Sequence, residues 1–229
     1  MNSIDVKETM NNNHITIFVG EFGSGKTELA VNYTLQLNAA GMDTAIVDMD
    51  LVKPYFRTRE QRELLEKRGV RVVAPDARLS HADLPVLPQN LIQALSQTQT
   101  KVVMDVGGGD ASIALGQLKR YFDKYSYQAL LVVNTKRPFT RDPQGIIQTL
   151  ARIEEISRLK ISGIVSNTNL GSDTTAEHIY QGLAVVEQAA KQLALPVTWV
   201  VVPDWLKLTD EIKPPLFILT PCTHYPWMM

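Results

Sequence analysis

Short apolar runs separated by longer stretches of helical periodicity recur between residues 14 and 202. The runs at 14–19, 44–48, 70–74, 101–106, 128–133, 161–166 and 197–202 predict strands. Helical spacing between them predicts helices over 26–40, 57–68, 88–96, 113–121, 144–158 and 175–193. In the first of these, Ala30, Tyr33, Leu37 and Ala40 fall at near-helical intervals, and Gly41 offers a C-terminal cap. Strand and helix in strict alternation imply an α/β fold with three layers. A mostly parallel sheet of about seven strands would carry helices on both faces.

The ends of the chain depart from this rhythm. Residues 1–12 read as a polar, disordered lead-in that runs into Asn11-Asn12-Asn13, and 13–229 read as one domain. The arm 205–229 holds Pro214-Pro215, then Leu216-Phe217-Ile218-Leu219, then Pro221, Pro226 and Trp227. Prolines so placed argue against a terminal amphipathic helix and for a last strand or an extended packed arm. Its apolar residues lack the interleaved Lys/Arg face of a membrane-surface segment.

Composition narrows the classes. A chain of 229 residues, 45% hydrophobic, can bury one sizeable core. A net charge of −1 supplies no bulk attraction to nucleic acid or an anionic membrane. No apolar run reaches membrane-spanning length, and the first residues lack signal-peptide character. The single Cys222 excludes an intrachain disulfide or a Cys-rich metal centre and fits a reducing cytoplasm.

The chemistry concentrates in Gly20-Glu21-Phe22-Gly23-Ser24-Gly25-Lys26-Thr27, which satisfies G-x-x-x-x-G-K-[ST] at every fixed position. A predicted strand precedes it and a predicted helix follows, the context in which this pattern binds phosphate. The glycines let backbone N–H groups curl around phosphate oxygens, and the helix N-terminus adds partial positive charge. Lys26 would reach the β- and γ-phosphates, and the Thr27 hydroxyl would help hold Mg²⁺. The candidate nucleotide-contacting run extends to Glu28. Further candidates stand at the carboxyl ends of predicted strands, where open α/β sheets bind ligands. Asp48-Met49-Asp50 ends the second strand, and Val102-Val103-Met104-Asp105 leads into Val106-Gly107-Gly108-Gly109-Asp110. An apolar strand ending in Asp105 supplies a carboxylate near Mg²⁺, usually through its water shell.

With these residues the chain resembles MinD/ParA-type P-loop ATPases of the SIMIBI class, a group that includes nitrogenase iron-protein-like and nickel-insertion ATPases. The resemblance covers most of 14–205. It rests on the phosphate loop, Asp48-x-Asp50, Asp105 with its glycines, Arg141-Asp142 opening a helix, Asn167 after a strand, and Val202-Pro203-Asp204. It implies that Asp50 helps place the attacking water, that Asn167 contacts the purine, and that Pro203-Asp204 closes over the base. It also implies ATP rather than GTP, and no guanine-reading N-K-x-D occurs: Asn134-Thr135-Lys136-Arg137 and Asn167-Thr168-Asn169-Leu170 both miss it. By resemblance, ATP and Mg²⁺ would control a protein partner and drive a nucleotide-dependent homodimer.

One departure stands inside the loop. These ATPases usually carry a second lysine directly after the first glycine, reaching the partner's phosphates across a dimer; here Glu21 takes that place, with Phe22 where glycine is common. A carboxylate there repels a triphosphate unless it points away or pairs with a cation. Arg57 and Arg59 are candidates for replacement charge, although Glu60 and Glu63 beside them suit a solvated helix start. Slow intrinsic hydrolysis follows, by Lys26, Asp50 and Asp105. His14, His81, His178 and His224 show no metal-ligand spacing; Cys222-x-His224 is a weak pair; Trp199 reads as core and Trp205 as packing or a base flank. Three functions fit: an ATP-driven switch, a non-hydrolysing nucleotide-binding module, and a small-molecule ligase or kinase of the dethiobiotin synthetase type, for which Lys53-Pro54 could hold an anionic substrate.

Overall fold

The computed structural model describes residues 13–49, 62–73, 89–107 and 115–222. In chain order the elements are β1 (Ile15–Val19), α1 (Lys26–Ala39), β2 (Thr44–Asp48), α2 (Arg62–Lys67), β3 (Arg71–Val73), α3 (Gln89–Ser96) and β4 (Lys101–Asp105). There follow α4 (Lys119–Phe122), β5 (Tyr127–Val133), a 3-10 turn (Pro138–Thr140), α5 (Pro143–Ser157), β6 (Gly163–Ser166), α6 (Ala176–Leu193), β7 (Val197–Pro203) and β8 (Leu216–Leu219).

The strands form one eight-stranded sheet in the order β3-β2-β4-β1-β5-β6-β7-β8. Every pairing is parallel, as expected for strands connected by crossovers. β1 lies in the middle, between β4 and β5, so the loop after it opens at the centre of the sheet's carboxyl edge. Each face buries its own core. Phe18, Ile46, Val103 and Leu130 pack under Leu29, Ala30, Tyr33 and Leu37 of α1 and Leu65 of α2. The alternate residues Ile15, Ile17, Val47, Met104 and Leu131 meet Leu91, Ile146, Leu150, Ile153 and Val186 from α3, α5 and α6.

Gly41 does cap α1. At φ +84° it donates to Asn38 O (2.9 Å) while Met42 N reaches Leu37 O (3.2 Å), the paired bonds of a Schellman stop. Asp142 caps α5 by accepting from Gly145 N, and Thr175 and His178 form a capping box on α6. Of the predicted helix at 113–121, residues 115–117 are helical, 118 is a turn, and α4 covers Lys119–Phe122. The 57–68 helix is described from Arg62 onward, its earlier residues lying outside the described part.

The eighth strand comes from the proline-rich arm. β8 pairs parallel with β7, Val200 opposite Leu216 through Pro203 opposite Leu219. The crossover between them carries no helix. Leu206, Leu208 and Ile212 instead pack with Ile179 and Leu183 of α6, filling the layer a helix would otherwise occupy. On the other face Phe217 joins Trp199, Tyr33 and Phe18 in a ring cluster, with Trp199 and Phe217 centroids 5.5 Å apart. Trp199 is therefore core, 2% exposed.

Candidate functional site

The loop between β1 and α1 folds around three glycines that no other residue could replace without displacement. A Cβ on Gly20 would stand 2.5 Å from Val132 O. Gly23 and Gly25 take left-handed φ of +77° and +82°, and a Cβ on Gly25 would meet Asn167 Nδ2 at 2.4 Å. Gly25 is the N-cap of α1 and supplies no capping side chain, so the first-turn N–H groups of the helix are left for an external acceptor.

Side chains from the neighbouring loops pin this loop by its carbonyl oxygens. Asn167 Nδ2 donates to Ser24 O (2.7 Å), and both Asn134 Nδ2 (3.3 Å) and Arg137 Nε (3.0 Å) donate to Gly23 O. Asn134 is wholly buried and is itself fixed: its Oδ1 accepts from Lys136 N and Asn169 N, and its Nδ2 also donates to Asn169 O. Because these pins occupy carbonyls, they use none of the loop's amides as donors.

Lys26 is 5% exposed, and among the described residues its ammonium makes one hydrogen bond, a long one of 3.5 Å to Glu21 O. Among the described residues no carboxylate lies within ion-pair distance of it. A buried cation so poorly partnered is costly, and an anionic ligand would offset that cost. Ser24 Oγ is buried beside it without a hydrogen-bond partner among the described residues. Thr27 is buried at the first turn of α1.

Glu21 carries its charge elsewhere. Its carboxylate pairs with the Arg152 guanidinium of α5, while Phe22 projects outward, 76% exposed. Glu28 is turned along α1, its Oε1 accepting from Cys222 N. Asp48 and Asp105 end adjacent strands in direct register, Asp105 also opposite Phe18 of β1, and both are buried. Asp50, Arg57, Arg59, Lys53, Gly108, Gly109, His81 and His224 lie outside the described residues. Pro203 ends β7, and Asp204 N bonds Leu219 O (2.9 Å), with Trp205 half exposed beyond it. The structure thus gathers Gly20 to Thr27, Asp48, Asp105 and Asn167 at one edge of the sheet.

Three members of this arrangement escape a reading of the sequence. Asn134 and Arg137 enter that reading only as part of a failed guanine motif; their position just after β5, the strand beside β1, is the signal that points to the loop. Arg152 lies on the outer side of a helix and carries no local signal at all. Elsewhere His14 Nε2 is bonded to Leu95 O (2.9 Å) and His178 caps α6, both structural uses. Among the described residues no three His, Cys, Asp or Glu side chains group to hold a metal, and no helix is long and apolar enough to cross a membrane.

Comparison with known proteins bears on the fold. No family model and no curated protein matches this sequence. Among solved structures, FtsY from Mycoplasma mycoides superposes with a TM-score of 0.56 at 16% identity, covering 84% of this chain and 60% of that one. The cell division protein FtsY from Thermotoga maritima gives 0.56 at 16% identity, over 86% of this chain and 67% of that one. The fold is that of the P-loop NTPases. The signal recognition particle 54 kDa protein from Aeropyrum pernix, solved with GDP, gives 0.53 at 18% identity over 82% of this chain and 41% of its own. This chain therefore spans about three-fifths of the first of these proteins. At such identities the likeness is one of architecture.

Proposed function

We propose that this chain binds MgATP through Gly20–Thr27, hydrolyses it slowly, and uses the bound nucleotide to set its affinity for a protein partner, with a nucleotide-dependent homodimer as one state. The observation that carries the reading is Lys26, a buried ammonium with one long hydrogen bond among the described residues, inside a glycine loop whose Glu21, Gly23 and Ser24 carbonyls already accept hydrogen bonds. A phosphate chain suits such a place, because the amides of a helix N-terminus and a buried ammonium both attract anionic oxygens.

Thr27 and Asp105 are the described residues that would hold Mg²⁺, with Asp50 the candidate outside them. Two adjacent buried carboxylates, Asp48 and Asp105, suit a divalent cation shared with phosphate oxygens and water. When bound, Mg²⁺ supplies charge neutralisation on the phosphates. The chain's own residues do the positioning: the loop amides fix the phosphate chain, Lys26 stabilises charge on its terminal oxygens, and Asp50 orients water. Slow turnover follows from Glu21, which cannot supply the second cation that the MinD/ParA resemblance leads one to expect.

ATP is favoured by that resemblance and by the lack of N-K-x-D. GTP is the second reading, favoured by the GDP that the Aeropyrum protein holds. Phosphate release and molecular mass are to be followed together with MgATP and MgGTP, on wild type, Lys26→Ala and Glu21→Lys. The proposal expects turnover well below about 1 s⁻¹ for the unaided protein, with ATP preferred and a larger species in ATP. Many turnovers per second contradict slow hydrolysis, preference for GTP transfers the reading to guanine, and a monomer under every nucleotide removes the dimer.

A further inference from the structure

We propose that Arg152 is a positioning residue for the phosphate loop: it neutralises Glu21 and holds that carboxylate on the α5 side of the sheet, away from the phosphates. The inference rests on the reading of Gly20–Thr27 as a phosphate site.

The main chain and side chain of Glu21 serve opposite ends. Its carbonyl belongs to the loop, accepting from Ser24 N (3.1 Å) and from Lys26 Nζ (3.5 Å). Its carboxylate leaves the loop for Arg152, and the Glu21 side chain is only 14% exposed. α1, whose N-terminus receives the anion, packs on one face of the sheet with Phe18 and Leu130. α5 packs on the other, through Ile146, Leu150 and Ile153 against the opposite side of β1. The ion pair therefore draws the Glu21 charge across to the face opposite α1. Among the described residues, two nearby charges are engaged elsewhere. Glu154 is engaged by Lys160 Nζ (2.9 Å) and Ile161 N (2.8 Å), and Arg137 is turned to Gly23 O. Arg152 itself is about half exposed and contributes to none of the apolar clusters.

Without the guanidinium, a largely buried carboxylate would stand uncompensated one residue from the first loop glycine. It would repel a triphosphate or swing toward Lys26, and either outcome weakens binding. The coupling has a sign that a structural role lacks: deleting the acid should undo the harm of deleting the base.

The test is the affinity of the folded, full-length chain for MgATP and for magnesium tripolyphosphate, which carries the charge without the base. Wild type, Arg152→Ala, Glu21→Gln and the double variant are compared, with Lys26→Ala as control and thermal melting to confirm folding. Arg152→Ala should bind about tenfold more weakly, a deficit that shrinks as salt is raised. Glu21→Gln should bind at least as tightly as wild type, the double variant should recover most of the loss, and Arg152→Lys should rescue in part. An Arg152→Ala variant that binds as wild type does, or a double variant as weak as the single one, overturns the proposal. If wild type binds tripolyphosphate but not MgATP, the ATP reading fails while the Arg152 inference is still decided by the tripolyphosphate series. Binding of neither probe overturns both.

Discussion

Helix α1 is gripped in two places. At its N-terminus, Asn134, Arg137 and Asn167 hold loop carbonyls by single hydrogen bonds, around glycines with no side chain to bury. Along its flank, Glu28, Asn32 and Gln36 stand four residues apart and hold the C-terminal segment. Gln36 Nε2 donates to Ile218 O (3.0 Å), Thr220 N donates to Asn32 Oδ1 (2.9 Å), and Cys222 N donates to the Glu28 carboxylate. Beneath that flank lie Tyr33, Trp199 and Phe217. The first grip shapes a site with little apolar burial, whereas the second joins the edge strand to the core. Changes at the loop should thus cost binding more than stability, and changes at the flank the reverse.

The largest expected effect is on the flank side. Trp199→Ala removes the centre of the aromatic cluster and should lower unfolding free energy by about 3–5 kcal/mol in urea melts. Nucleotide affinity of the folded protein should be retained. Loss of binding in a fully folded Trp199→Ala sample would show that the two grips are not separable.

Asn167→Ala works from the other side. It strips Ser24 O of its donor, and it should cost about 0.5–1 kcal/mol in stability and about tenfold, or about 1.4 kcal/mol, in MgATP affinity as the loop loses its pin. An effect confined to stability would make Asn167 a packing residue. Loss of ATP selectivity against other nucleoside triphosphates, with phosphate affinity kept, would favour the base contact that the resemblance implies.

The smallest effect concerns Cys222. Burial first, and the Glu28 charge second, push its thiol above the ordinary range, with Arg68 and Asn32 opposing. Alkylation by iodoacetamide, followed by mass, should be slow at neutral pH and rise steeply in alkali. The stability contributed through this group is complete below the unfolded thiol pKa and lost as pH rises through the folded one. Rapid labelling at neutral pH would mean that the segment does not sit on α1 as described.

The sheet was legible because its strands are apolar runs bounded by glycine and polar residues; 44–48 matches β2 to the residue. The glycine loop between β1 and α1 was legible because its glycines and Lys26 are adjacent in sequence. β8 was half legible: Pro214-Pro215 ruled out a helix, but only tertiary packing on β7 makes Leu216–Leu219 a strand. Asn167 was singled out by resemblance as a purine contact, not as a donor to the loop. Asn134, Arg137 and Arg152 were not legible: they reach the loop from the turn after β5 and from α5, and no local periodicity encodes a contact across more than a hundred residues.

The central claim is that Gly20–Thr27 binds a magnesium nucleoside triphosphate and that Lys26 supplies its charge. Calorimetric titration of wild type and Lys26→Ala with MgATP and MgGTP tests it most directly. The account predicts one saturable site per chain in wild type and a loss of about a hundredfold or more in the variant. Equal binding by both proteins, or none by wild type, would contradict it.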